Sequence, residues 1–198
     1  MQIRLFFRRS LTMGIALAAL SCVPASATTV STTSLTGCSV LPVAQPFLAW
    51  GDSHWYSLVP GQTTANFVGS GWTLSGGASI NSVARADGRT GTVLNLPSKA
   101  AAVSPPICVS SDYPTARTMV RNLVGSEGVF VYVSYSGATF QDTGQVHGAG
   151  SAWALSTPVN IHSAPLPGWA LVRFKFVAGG TTSRFQVYNF WVDPRMSR

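Results

Sequence analysis

Acidic residues are scarce: only six of the 198 residues are Asp or Glu, and Glu127 is the one glutamate. That is a thin supply for the paired carboxylates of glycoside hydrolysis. The three histidines, His54, His147 and His162, stand singly. Zinc needs grouped His or Cys, so no zinc site is expected. No G-x-S-x-G occurs, which argues against a hydrolase with a nucleophile elbow. Lysine is also rare, with Lys99 and Lys175 alone, and the arginines form no cluster. The footprint of a nucleic-acid binder is therefore missing. Charged residues make up 10% of the chain, Gly numbers 19 and Pro 12, and no long apolar stripe of helical period follows residue 27. Helices are poorly supported by that pattern.

What the chain does have begins at its amino terminus. Arg4, Arg8 and Arg9 precede thirteen apolar or small residues, Leu11 to Val23, which end at Pro24 and the run Ala25-Ser26-Ala27. This is the pattern of a cleaved signal peptide. As a helix the apolar stretch rises only about 20 Å, too short for a bilayer core of about 30 Å. Cleavage after Ala27 is expected, and the Arg8-Arg9 pair leaves both the general and the twin-arginine export routes open. Cys22 reads as a small residue of the apolar segment, since Ala19 stands where a lipidation motif has leucine. No second long apolar run follows, so a secreted protein with no membrane span is expected.

Three of the 13 Lys and Arg lie in residues 1–27, which leaves ten against six acids over 171 residues. A chain of that length makes one ordinary domain, and a monomer is the simplest expectation. Residues 28–37 hold seven Ser or Thr in ten and read as a flexible leader. The folded domain is expected to span 38–198. Cys38 and Cys108 then lie in an oxidising compartment, where two thiols most simply pair, the alternative being two buried free thiols.

Strand signals recur through the rest of the chain. Runs rich in Val, Phe, Tyr, Trp and Thr cover 72–80, 92–96, 101–104, 115–124, 129–136, 152–156, 169–178 and 184–192. Asp87-Gly88 and Gly179-Gly180 mark turns between such runs. About eight to ten short strands without crossover helices predict an all-β fold, an antiparallel β-sandwich of jelly-roll type. Alternation assigns the faces. Ala170, Val172, Phe174 and Phe176 point one way and Arg173 and Lys175 the other; Ala116, Val120 and Val124 likewise oppose Arg117 and Arg121.

A W-x-L strand at Trp72 to Leu74, the run TVLNL, a late V-x-F-x-F strand and the closing Phe190-Trp191-Val192-Asp193 resemble jelly-roll carbohydrate-binding modules and galactose-binding-like domains. The segments GDSHWYSLVPG, WTLSGGASI, YPTARTMVRN and FQVYNFWVDPR resemble more closely a group of secreted actinobacterial proteins of unassigned function. The first resemblance implies architecture and the second brings no activity with it. Binding modules of this kind often carry a structural calcium near the last strand, where Asp193 stands; the alternative is a turn-forming or Arg-paired acid. No other cofactor is expected.

Gly51-Asp52-Ser53 follows an apolar run, as the nucleophile does in esterases with that signature. The D-x-x-H those enzymes need is missing, since Pro194, Arg195 and Met196 follow Asp193. A tight turn with Asp52 bonded to its own backbone is expected instead. With no assembled catalytic group, the expected function is non-catalytic binding of an extracellular polysaccharide or cell-wall polymer. The ligand face is expected on one sheet, built from Arg117, Arg121, Tyr132, Arg173, Lys175, Gln186 and Tyr188. Exposed rings stack on sugar C–H faces while Arg and Gln bond hydroxyls, and Trp50, Trp55, Tyr56, Tyr113 and Trp153 are further aromatic candidates near turns. The alternatives are a structural or protein-interaction component of the cell envelope and, third, a hydrolase with an unfamiliar constellation.

Overall fold

The computed structural model describes residues 41–110, 115–161 and 169–193. Residues 1–37, where the signal peptide and leader are expected, and Cys38, Tyr113 and His162 lie outside the described residues. In chain order the strands are β1 (Val43–Ala44), β2 (Tyr56–Leu58), β3 (Thr73–Ser75), β4 (Ser79–Ala84), β5 (Thr90–Pro97), β6 (Ala101–Val103) and β7 (Ile107–Ser110). They continue as β8 (Thr115–Val124), β9 (Val129–Tyr135), β10 (Gln141–Val146), β11 (Ala154–Leu155), β12 (Val159–Asn160), β13 (Trp169–Ala178) and β14 (Arg184–Asp193).

These strands form two antiparallel sheets, one of eight strands and one of six. Each is built on one ten-residue strand. In the larger sheet β14 pairs along one side with β8, and its other side is shared between β5 and β2. In the smaller, β13 pairs along one side with β9, while β6 and β7 divide the other. The chain crosses between sheets repeatedly: β3 is in the smaller, β4 and β5 in the larger, β6 and β7 in the smaller, β8 in the larger. Gly179-Gly180 thus joins two sheets rather than closing a hairpin. Residues 72–80, expected as one strand, are two strands in different sheets, because Gly76 and Gly77 adopt φ of 63° and 86° and turn the chain between them.

The inner faces of both sheets meet in one core. Phe174 and Phe176 of β13 pack edge-on against Phe190 of β14, with ring centroids 4.9 and 4.8 Å apart. Trp72 stacks on Phe176 at 6.1 Å and Phe67 tilts against Trp72 at 4.8 Å. Burial of such side chains contributes about 1.5–3 kcal/mol each, and well-placed ring pairs add about 0.5–1.5 kcal/mol. The alternation expected for β13 is present: Val172, Phe174 and Phe176 are buried while Arg173 is exposed. Val124, expected inward, is exposed at the end of β8.

Alternation along β14 is interrupted once. Its pairing with β8 shifts between Tyr188 and Trp191, and Asn189 there has a φ of 54°. The extra residue lets Phe185, Val187, Phe190 and Val192 all join the core.

Candidate functional site

The seven residues expected on one face lie on two. Arg117 and Arg121 are on β8 and Gln186 and Tyr188 on β14, in the eight-stranded sheet. Tyr132 is on β9, and Arg173 and Lys175 are on β13, in the six-stranded sheet. The outer faces of a sandwich point in opposite directions, so a single basic face does not exist. Alternation reports inside against outside for each strand, and both sets obey it.

The outer face of the eight-stranded sheet is roofed by its own chain. Phe47, Tyr56 and Trp191 form one small buried cluster there, and Val93, Met119 and Tyr188 a second, with Trp153 packed on it. Arg121 donates from Nε and Nη2 to Gln186 Oε1 at 2.8 and 2.6 Å, and its guanidinium lies 4.5 Å from the Trp153 ring centre. Burial lowers the Arg121 pKa from its ordinary value. Trp153 meets Tyr188 edge-on at 4.7 Å, and its Nε1 donates to Ala84 O at 2.9 Å. Tyr188 is 4% exposed, its hydroxyl accepts from Ala86 N, and burial raises its pKa. The wet position expected for Tyr188 is thus corrected by the ring above it. These groups hold one another and brace the sheet.

Arg117 is likewise engaged internally. It pairs through Nη1 with Asp52 Oδ2, and its Nε and Nη2 donate to Ser156 O at 3.0 and 2.8 Å. Asp52 also accepts from Tyr56 Oη at 2.7 Å and from His54 N at 3.0 Å, and His54 Nδ1 lies 2.8 Å from its Oδ1. Burial alone would raise the Asp52 pKa. The hydrogen bonds from Tyr56, Arg117 and His54 outweigh it and hold the carboxyl well below its usual range. Burial and the Asp52 bond together push the Tyr56 phenol up. Gly51-Asp52-Ser53 is therefore a structural turn. Asp193 is buried at the end of β14 opposite Thr115. Among the described residues no group of three or more His, Cys, Asp or Glu converges as a metal site would require.

The six-stranded sheet offers a different surface. Cross-strand partners share a face, so Asp142, Tyr132, Lys175, Val103 and Thr73 form one row across β10, β9, β13, β6 and β3. Gln145, Phe130, Val177, Ala101 and Ser75 form the next. Five strands at about 4.8 Å spacing make each row about 19 Å long. Lys175 Nζ lies 5.6 Å from the Tyr132 ring centre and 5.8 Å from that of Phe140. This places an ammonium between two half-buried rings. Arg173 is exposed beside Leu171, itself 37% exposed. Neither cation has a salt-bridge partner among the described residues. Phe130 and Phe140 did not emerge from sequence reasoning. Phe140 introduces β10, whose sequence QDTGQV has no alternation to mark it as a strand.

No family model matches the sequence, and no curated protein matches it. Solved structures similar to the chain include the CBM22-1 xylan-binding domain of Xyn10C from Paenibacillus barcinonensis, with 14% identity over 64% of this chain and 88% of that one, at a TM-score of 0.39. Also similar are TmCBM61 in complex with β-1,4-galactotriose (11% identity, 62% and 88% covered, TM-score 0.40) and the C-terminal CBM6 of LamC from Zobellia galactanivorans (14%, 58% and 87%, 0.37). The chain is thus similar to carbohydrate-binding modules. At these scores the likeness carries no functional argument, and function has to be read from the side chains of this chain.

Proposed function

We propose that the chain is a secreted, non-catalytic domain that binds an extracellular or cell-wall glycan on the outer face of the six-stranded sheet of a jelly-roll sandwich. Residues 1–27 supply the export signal in this reading. One observation carries it: Lys175 lies within reach of both the Tyr132 and Phe140 rings on a sheet face that, among the described residues, neither small buried cluster covers. A ring beside a cation suits a sugar, because the ring takes the C–H face while the ammonium donates to hydroxyls. Gln145, Asp142 and Thr73 provide further donors and acceptors along the same rows, and Arg173 lies on the same face two residues before Lys175 on β13. The binding set is then Tyr132, Arg173 and Lys175 with Phe130 and Phe140. Arg117, Arg121, Gln186 and Tyr188 brace the opposite sheet.

Retention of the processed protein on insoluble cell-wall and plant polysaccharides tests the reading. Tyr132→Ala and Lys175→Ala are expected to weaken retention at least about tenfold, the loss of roughly 1.4 kcal/mol. Arg89→Ala, at an exposed turn of the other sheet, should bind as the parent does. Absence of retention on every polymer, or full retention by both variants, would sink it. Soluble oligosaccharide should compete. Binding that resists such competition points instead to a protein partner in the envelope.

A further inference from the structure

The last strand at one side of the eight-stranded sheet, β4, pairs with β5 from Ser79↔Asn95 to Ala84↔Thr90 without a shift in register. The backbone on its far side can be traced from the partner strand. Thr92 N donates to Asn66 Oδ1 at 3.0 Å and Thr92 O accepts from Phe67 N at 2.8 Å, so Thr92 points away from β4. In an antiparallel ladder the direction alternates by residue. Asn81 and Val83 therefore bond to β5, while Ile80, Ser82 and Ala84 direct N–H and C=O outward. Trp153 Nε1 already occupies Ala84 O. Among the described residues nothing bonds to the outward groups of Ile80 and Ser82.

Edges of this kind are normally guarded by charge, proline or a bulge. The sequence of β4, SINSVA, has none of these. Its flank is apolar too: Ile80 is 38% exposed and Val68 54% exposed. The Ile80 side chain lies against Gly69, the neighbour of Val68, which has a φ of 79°.

We propose that β4 is a self-complementary edge that pairs antiparallel with β4 of a second copy, about a two-fold axis through Asn81. The parity fits this register. Ile80 and Ser82 of one protomer, both outward-facing, meet Ser82 and Ile80 of its partner and exchange four backbone hydrogen bonds. Asn81 meets its own copy between them as a non-hydrogen-bonded pair, where each amide can donate to and accept from the other. No like charges oppose one another across the axis, and the operation closes as an isologous dimer. Three residues of strand bury far less than the roughly 800 Å² per partner of a stable complex. The dimer is accordingly weak and concentration-dependent, and the monomer expected from the sequence is its dilute form.

The experiment is sedimentation velocity from about 10 µM to about 1 mM protein without glycan, a range in which a weak self-association shifts by mass action. The weight-average mass should climb towards that of two chains. Asn81→Lys, which sets two ammonium groups face to face at an exposed position, should hold the mass at one chain across the range with an unchanged circular dichroism spectrum. Ser82→Pro removes an outward N–H that the β4–β5 ladder does not use, and should do the same. Asn81→Cys should form a covalent dimer under mild oxidation, because paired Cα atoms at about 4.5 Å suit a disulfide. Ser79→Cys should not. Lys175→Ala should associate as the parent does, so failure here and failure of the glycan reading are separable. A wild-type mass of one chain at every concentration, or a dimer that Asn81→Lys leaves intact, overturns the proposal. If Asn81→Lys does not fold, absence of the Asn81→Cys cross-link overturns it equally.

Discussion

Arg117 on β8 and Asp52 in the turn before β2 form a shielded ion pair across 65 positions of sequence, with the Arg117 and Asp52 side chains 16% and 7% exposed. The pair ties the early segment, with Phe47 and Tyr56, to the long strand of the larger sheet. Arg117 also lies 5.9 Å from the Phe47 ring centre. The same carboxylate therefore fixes the turn backbone, a phenol and a guanidinium.

Acid should loosen this attachment. The folded Asp52 pKa is depressed, so its contribution is fully present above the unfolded value, near about 4, and is lost as pH falls through that value towards the folded one. Asp52→Asn leaves Arg117 without its counter-charge and should cost about 3–5 kcal/mol at neutral pH. Urea midpoints at neutral pH and below about pH 4 check both points. The parent should lose stability over that interval more steeply than the variant. Equal slopes would show that Asp52 does not set the acid limb.

Trp153→Ala separates bracing from binding. The ring stacks on Arg121, abuts Tyr188 and caps Ala84 O. Losing a shielded cation–π contact, an aromatic pair and a hydrogen bond should cost about 2–4 kcal/mol. The melting temperature should drop while retention on polysaccharide below the transition stays at the parent level. Lost retention in the still-folded variant would move the glycan face to the other sheet.

Much of the fold was legible because β13, the strand on which the smaller sheet is built, is long and one-sided. Val172, Phe174 and Phe176 against Arg173 and Lys175 leave little choice of face. What alternation cannot carry is the identity of the sheet. Arg121 and Arg173 sit on similarly patterned strands, yet the chain changes sheets after β8, and the two guanidinium groups end on opposite sides of the molecule. Tyr188 misled for another reason: its strand position is outward, but a ring from residue 153 lies over it. Strand β10 was invisible because Val146 is its one fully buried side chain, and a register shift between Asp142 and Gly144 breaks its period.

The bulge in β14 makes a backbone prediction. Asn189 holds a left-handed φ of 54°, which Asn tolerates and a β-branched residue does not. Asn189→Val should destabilise by about 1–3 kcal/mol, whereas Asn189→Gly should be near neutral. Denaturant midpoints of the two variants decide. A Val variant as stable as the parent would mean that the shift placing Phe190 in the core does not depend on this conformation.

The disulfide proposed between Cys38 and Cys108 joins compartment, fold and stability in one measurement. Cys108 is 8% exposed on β7, opposite Leu171 of β13, so a bond from it reaches a strand paired directly with the central strand of the smaller sheet. Cys38 lies outside the described residues, just before the segment that Asp52 and Arg117 attach to the larger sheet. A bridge would therefore fasten the start of the domain to the second sheet as well, independently of pH. Closing a loop of about 70 residues is worth roughly 4 kcal/mol by restricting the unfolded chain, and Cys38→Ser should cost about 2–5 kcal/mol. Reducing agent should lower the parent's stability by a similar amount and leave that of the variant unchanged. Intact mass after alkylation in denaturant without reductant should show no addition to the processed chain. Two alkyl additions would establish free thiols and remove both the bridge and this account of how the leading segment is held.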